Sequence, residues 1–166
     1  MNERMFEINY ITTAKGNEIA QINNAKITWR NFSGKKFNDP TRRSFGIIIP
    51  HIDIAKDLEA RGWPVNHRPG RNPGDPDVLI MPVKFQFNDY PPIIRFKAMD
   101  APARKLDINS VAMLDTVGID YANMDLSMYK SPRGVSAYLK NLIVYQKPVT
   151  AWDRFAEEEC PEEAVY

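Results

Sequence analysis

The sequence contains a single cysteine, Cys160, among its 166 residues. One cysteine can form neither an intramolecular disulfide nor a cysteine-based zinc site, so both are excluded. No apolar run approaches the length that a bilayer requires, and the first ten residues lack the apolar core of a signal peptide. These absences argue against a membrane protein and against a disulfide-rich secreted domain. We therefore expect a soluble protein of a reducing cytoplasm.

Glycine is scarce, with 8 residues against 13 prolines, which favours extended segments and stiff turns over a helical bundle. Period-two alternation dominates the chain. It predicts strands at 25–32, 43–49, 77–87, 92–98, 121–130 and 134–145. Pro82 cannot donate to a sheet ladder, so the strand at 77–87 is expected to lie at an edge or to carry a bulge there.

Helical spacing interrupts this alternation at two places. Ile52, Ala55 and Leu58 predict a helix that ends near Gly62, and Asp107 can cap a second short helix over 108–117. Five or six strands with two short helices in the connections favour a mainly β fold. A small antiparallel barrel of the OB-fold class is the economical arrangement, because closure hides the sheet edges. The predicted organisation is an OB-fold domain at 1–148 and a disordered acidic C-terminal tail at 149–166.

Catalytic and metal-binding patterns are missing from the sequence. His51, His67 and Cys160 show no ligand spacing, so neither a metal nor another cofactor is expected. The turn at 33–36 resembles a phosphate loop, but Trp29 replaces its first glycine and Lys36 replaces the Mg²⁺-binding hydroxyl. The strand at 77–87 has proline where a metal-dependent nuclease would carry an acid two residues before its lysine. The sequence therefore predicts a protein that is not an enzyme.

The net charge of +1 hides an uneven distribution. Residues 152–166 contain six acids and one arginine, so this tail carries −5 and the rest of the chain +6. The basic segments at 26–43 and 84–105 are interleaved with aromatic residues. That mixture suits single-stranded nucleic acid, because cations follow the phosphates and flat rings accept unpaired bases.

Particular side chains on these segments are candidates for the contacts. The cations expected to pair with phosphates are Arg30, Lys35, Lys36, Arg42, Arg43, Arg95 and Lys97. The aromatic residues expected to stack on bases are Trp29, Phe32, Phe37 and Tyr90. Phe85, Phe87 and Phe96 lie on apolar faces and are assigned to the core. Trp29 and Phe45 fit the core as well as a ligand site, and the face with Arg95 could be simply solvated.

The tail combines its acids with aromatic residues that a purely solubilising segment would not need. Such a segment can dock on a basic partner surface or fold back on the basic groove of its own protein. The candidate partner-binding residues are Trp152, Phe155, Glu157, Glu158, Glu159 and Tyr166.

Several ordered blocks of the sequence resemble phage-encoded single-stranded DNA-binding proteins. The blocks are ITWRNFSGK at 27–35, RSFGIII at 43–49, AKDLEARGW at 55–63, NDYPP at 88–92 and GVSAYLK at 134–140. The resemblance implies an OB-fold and sequence-tolerant binding of single-stranded DNA in phage replication and recombination, in the cytoplasm of the host bacterium. It also implies a tail that recruits phage or host replication and recombination proteins, and no enzymatic activity.

Two other interpretations of the sequence remain open. One is an OB-like protein-interaction module that recruits partners through its acidic tail. The other is a nuclease or recombination enzyme, against which the proline at position 82 argues. The sequence leaves open the oligomeric state, the site size, the preference for DNA or RNA and the role of residues 1–24.

Overall fold

A computed structural model of the protein describes residues 4–39 and 41–148, except for the side chain of Phe37. The predicted tail at 149–166 lies outside the described residues. In the described part the fold is mainly β, as predicted. The strands are β1 Glu7–Thr12, β2 Glu18–Asn31, β3 Arg43–Ile48, β4 Asn66–Arg68, β5 Val78–Phe85, β6 Ile93–Lys97, β7 Arg104–Leu106, β8 Ile119–Ser131 and β9 Gly134–Gln146. The helix α1 spans Ile52–Ala60, and 3₁₀ helices span Lys35–Phe37 and Val111–Asp115.

Five of these strands form a hydrogen-bonded ring in the order β5-β3-β2-β8-β9, and β9 pairs with β5 to complete it. Most pairs are antiparallel, as expected, but β9 runs parallel to both β5 and β6. The remaining strands extend the sheet: β1 flanks β2, β4 flanks β5, and β6 with β7 continues beyond β9. The ring leaves β3, β5 and β9 adjacent, which positions the site described below.

The inward faces of the ring strands form one hydrophobic core. Phe32, Phe45 and Phe85 are buried together, and the ring centroids of Phe32 and Phe45 lie 5.1 Å apart in a stacked arrangement. Phe96 is also buried, whereas Phe87 is half-buried against the core. The sequence-based assignment of the residues at 85 and 96 to the core is confirmed. Phe45 turns out to be a core residue too.

Strand β2 is bent by two irregularities at which its register shifts. Asn24 and Trp29 have φ angles of 61° and 50°, in the left-handed region. The shifts fall between Ile22 and Ala25 opposite β8, and between 28 and 31 opposite β3. These irregularities let one strand pair with β8 and β1 along its first half and with β3 along its second.

The prediction that β5 lies at an edge or carries a bulge at Pro82 is wrong, because β5 pairs with β3 on one side and with β4 and β9 on the other, in unbroken register with β3. On the edge of β5 that faces away from β3, residues up to Ile80 pair with β4 and residues from Val83 pair with β9. Pro82 falls in the gap between these two pairings. Asp107 accepts backbone N–H bonds from Asn109 and Ser110, each at 2.9 Å. The helix expected over 108–117 is wrong in type and length, because this turn leads into a short 3₁₀ helix.

Residues 1–24 contain no predicted element, yet β1 and the first half of β2 form a hairpin there. Its signals are weak: six residues of alternation and a turn at Gly16, whose φ is 85°. Strands β4 and β7 were missed because each has three residues, too few to show a period. No helix in the described part of the chain is long and apolar enough to cross a membrane.

Candidate nucleic-acid interface

Three neighbouring strands present a row of outward side chains across the sheet. Ser44 of β3 pairs with Lys84 of β5, and Lys84 pairs in turn with Tyr138 of β9. Their strand neighbours Phe45, Val83 and Ala137 are buried, so alternation directs the row to the outer surface. We call the surface depression of about 420 Å³ around this row the cationic cleft. Its lining residues are Thr41, Arg42, Arg43, Ser44, Lys84, Phe85, Gln86 and Tyr138.

A second and larger depression, of about 870 Å³, continues from the cationic cleft, and we call it the tyrosine groove. Gln86 and Tyr138 line both depressions, so the two form one continuous surface. Tyr138 contacts Tyr129 edge-to-face with ring centroids 5.6 Å apart, and Tyr129 is 56% exposed. Tyr90, which also lines the groove, is 93% exposed. The groove therefore offers three tyrosine rings beside a cationic cleft.

The basic loop between β2 and β3, residues 32–42, is held at its base by buried polar groups. Asn31 is 2% exposed and links both arms of the loop: its Nδ2 donates to the Arg42 carbonyl at 3.1 Å. Its Oδ1 accepts the backbone N–H of Lys36, also at 3.1 Å. Buried groups with satisfied hydrogen bonds hold a segment in one arrangement. The loop is therefore fixed where it borders the cationic cleft.

Two charged residues add to this support. Asp115 accepts the backbone N–H groups of Phe32 and Ser33, at 2.6 and 3.1 Å. Nη1 of Arg43 donates to the Phe32 carbonyl at 2.8 Å. Burial lowers the pKa of Arg43, and the Asp115 carboxylate opposes that shift. The side chain of Arg43 thus supports the loop from within.

The Trp29 side chain packs on the outer face of β3, where Gly46 leaves room for it. A Cβ atom at Gly46 would approach Cε3 of Trp29 to 3.2 Å and Cγ2 of Ile80 to 2.7 Å. The guanidinium carbon of Arg68 lies 4.6 Å from the centroid of the Trp29 ring system. This half-buried indole is therefore packed on the sheet and accompanied by a cation.

Two of the predicted contacts are wrong because the side chains are buried. Phe32 has no exposed surface and stacks on Phe45, so it is a core residue and cannot stack on a base. Arg43 is only 6% exposed and donates to the Phe32 carbonyl, so it supports the loop instead of pairing with phosphate. Alternation along β3 directs Arg43 inward, whereas Phe32 is buried just beyond the end of β2, although the sequence predicts outward positions for both.

The other predicted cations lie in different surroundings. Arg30 donates from Nη1 to the carbonyls of Leu114 and Val117, and Lys97 donates from Nζ to those of residues 98 and 101. Arg95 is exposed and lines a separate hollow with Asp125.

Lys35, Lys36 and Arg42 are exposed on the basic loop, and Arg42 lies 3.4 Å from Asp39. The Phe37 side chain and the tail candidates lie outside the described residues.

The structure adds interface candidates that the sequence analysis did not select. They are Tyr129, Tyr138, Lys84 and Lys140. Lys84 and Tyr138 occupy the outward positions of strands whose inward positions are apolar. The period-two alternation of the sequence indicates the outward direction of these two side chains. Only the ring topology shows that the outward faces of β5 and β9 are adjacent.

The family of this chain follows from its sequence. Residues 11–165 match the family model described as "Putative phage ssDNA-binding domain". The chain belongs to this family. No curated protein sequence matches it.

Three solved structures with which the chain was compared come from bacteriophage Enc34. The single-stranded DNA-binding protein from bacteriophage Enc34 has a TM-score of 0.50 and 11% identity, covering 87% of this chain and 94% of that one. The structure of its C-terminal truncation has a TM-score of 0.50 and 10% sequence identity, and the match covers 86% of this chain and 95% of that one. The structure of its complex with ssDNA has a TM-score of 0.47 and 10% sequence identity, and the match covers 86% of this chain and 97% of that one. At this identity, the two matches at 0.50 show a shared fold.

Proposed function

We propose that this phage ssDNA-binding protein coats single strands without sequence preference through the cationic cleft and the tyrosine groove. The observation that carries the proposal is their continuity: Gln86 and Tyr138 line both, so cations and aromatic rings share one surface. Of the groove residues, Asp89 is acidic and Lys140 is basic, while the cleft contributes Arg42 and Lys84. The combined surface is therefore cationic.

The proposed binding mode divides the work between these two parts. Bases stack on Tyr90, Tyr129 and Tyr138, which is sequence-tolerant because every base has a π-face. Phosphates pair with Lys84 and Arg42, and with the exposed lysines of the basic loop, Lys35 and Lys36. Phosphate contacts release counterions, so the affinity falls as salt rises. No catalytic step is part of this proposal.

Replacing one groove tyrosine tests the stacking. The variant Tyr138→Ala should weaken binding to oligothymidylate by about 1–3 kcal/mol, the typical contribution of one base–aromatic stack. Quenching of tryptophan fluorescence and anisotropy of a labelled oligonucleotide report the binding. The control is Ile11→Ala, which truncates an exposed apolar side chain of β1 that lines neither depression.

Equal losses in the two variants would contradict the proposed site. A wild-type protein that showed no salt-sensitive binding to oligothymidylate at low salt would contradict the proposed activity. That result would favour the protein-interaction module instead. Parallel titrations with oligouridylate and with duplex DNA would define the preferred nucleic acid.

The biological role we propose is in phage DNA replication and recombination, in the cytoplasm of the host bacterium. Membership of a phage ssDNA-binding family supports it. The acidic residues of the segment 149–166 would recruit phage or host replication and recombination proteins, with Trp152, Phe155 and Tyr166 as apolar contacts. A pull-down from infected cells with and without that segment tests the recruitment.

A further inference from the structure

Beyond the two depressions of the proposed interface, the outer face of β3 continues toward the N-terminal segment. Its outward residues are Ser44, Gly46 and Ile48, and Ser44 lines the cationic cleft. Ile48, at the other end, is 37% exposed and lines a further depression of about 380 Å³. We call this depression the N-terminal cleft. It lies about 13 Å along β3 from Ser44, at roughly 3.3 Å per residue.

The N-terminal cleft is lined by cations from two separate parts of the chain. Arg4 comes from the segment before β1, and Lys26 comes from β2, where it pairs with Ile48 across the sheet. The side chain of Lys26 is 63% exposed, and its Nζ lies 3.5 Å from the Asp120 carboxylate. The lining also includes His51 and contains no carboxylate side chain. The cleft therefore presents positive charge to a ligand.

Arg4 is held where its donors remain available for such a ligand. Its guanidinium carbon lies 4.2 Å from the ring centroid of Tyr121, and that ring stacks on Tyr145 at 4.4 Å. A guanidinium stacked on an aromatic face keeps its N–H donors at its edge, where they can pair with phosphate oxygens.

Trp29 lies between the two clefts. It packs over Gly46, the middle outward residue of β3, so no side chain from that position separates the clefts. The indole and the Arg68 guanidinium over it therefore lie midway between the two cationic ends of the path. The spacing of cation, aromatic ring and cation follows the strand itself.

We propose that a bound single strand continues from the cationic cleft along β3, past Trp29, into the N-terminal cleft. There Arg4 and Lys26 contact its phosphates, which gives the segment before β1 a role in binding. This inference rests on the proposed function, because it extends the same binding surface. It predicts that long oligonucleotides make contacts that short ones cannot reach.

The test compares Arg4→Gln/Lys26→Gln with the control Lys15→Gln/Lys56→Gln, which removes the same charge from exposed positions elsewhere. The two probes are an oligothymidylate of about 6 nucleotides, near the lower end of the roughly 4–16 that an OB fold covers, and one of about 20, which exceeds that range. For the long one, losing two phosphate contacts should lower the slope of log affinity against log salt by about 1.4. The short oligonucleotide should bind both double variants with the same affinity and the same salt dependence as it binds wild type.

Equal slopes for the two double variants on the long oligonucleotide would overturn the proposal. Failure of the wild type to bind either oligonucleotide would instead contradict the proposed function. Because Lys26 also contacts Asp120, Arg4→Gln alone serves as a second variant that leaves that contact intact, with an expected slope change of about 0.7. Thermal melting of each variant confirms that it is folded.

Discussion

At the scale of single residues, Trp29 combines a strained backbone with a supported ring. Its φ of 50° lies in the left-handed region, which bulky residues rarely adopt. Such a conformation persists only where the surroundings hold it, and here the surface over Gly46 and the Arg68 guanidinium do so. The position and orientation of the indole therefore depend on the missing side chain at Gly46.

Substitution of Gly46 by alanine tests this dependence. The new Cβ would lie 2.7 Å from Cγ2 of Ile80 and 3.2 Å from Cε3 of Trp29, so these neighbours must move. We expect a loss of about 1–3 kcal/mol in the free energy of unfolding, as for other overpacked sites. Urea denaturation measures it, and weaker binding to oligothymidylate should accompany it.

Gly118→Ala is the matched control, because its Cβ would meet only Cβ of Lys147 at 3.5 Å, an ordinary contact. If both alanine variants unfolded at the same urea concentration as wild type, the close packing over Gly46 would not constrain the fold.

At the scale of elements, a polar cluster joins the N-terminal hairpin to α1. The guanidinium of Arg61 lies 3.8 Å from the Tyr10 ring centroid and pairs with Glu18 at 2.9 Å and with Asp57 at 3.2 Å. Nε1 of Trp63 donates to Glu18 at 2.8 Å. These contacts connect β1, β2 and the end of α1.

The tyrosine of this cluster predicts a dependence of stability on pH. Burial, followed by the nearby Asp57 carboxylate, raises the pKa of Tyr10 to about 12 from its ordinary value of 10.0. Between these values the folded state retains a proton that the unfolded state loses, so stability falls as the pH rises from 10 toward 12. Urea denaturation across this range should show a smaller fall in Tyr10→Phe, and an identical fall would contradict the prediction.

How well an element can be predicted from the sequence depends on its length and on whether its position requires knowledge of its pairing partners. Strands with clear alternation, such as β5 and β9, and the helix α1 were expected within a few residues of their bounds. The outward direction of Lys84 was also visible in the sequence. The burial of Phe32 was not, because it follows the irregularity at Trp29 in β2, where alternation breaks. A groove built from β8, β9 and the segment that follows β5 requires pairings that one sequence does not reveal.

At the scale of the whole molecule, the charge is divided along the chain. Residues 152–166 carry −5, and the remainder carries +6. Opposite charges on one chain attract at low salt, and a segment that attracts the basic face competes with a nucleic acid there. The net charge of +1 therefore understates the attraction of the folded part for phosphate.

Deletion of residues 152–166 tests this competition. We expect the shortened protein to bind oligothymidylate as tightly as the full chain or more tightly, because the removed segment is acidic. Anisotropy titrations at low and high salt should show a gain that shrinks as salt screens the charges. Abolished binding would show instead that this segment belongs to the folded binding domain.

The parallel pair of β5 and β9 has a consequence for how the protein is made. Because β9 is the last of the described strands to leave the ribosome, the ring stays open until nearly all of the described chain has been synthesised. Until then β8 lacks its β9 partner, and β5 lacks the neighbour that pairs with Val83 and Lys84. Unpaired strand edges invite association with other chains. A chain that terminates before Gly134 therefore exposes open edges, and we expect it to aggregate rather than fold.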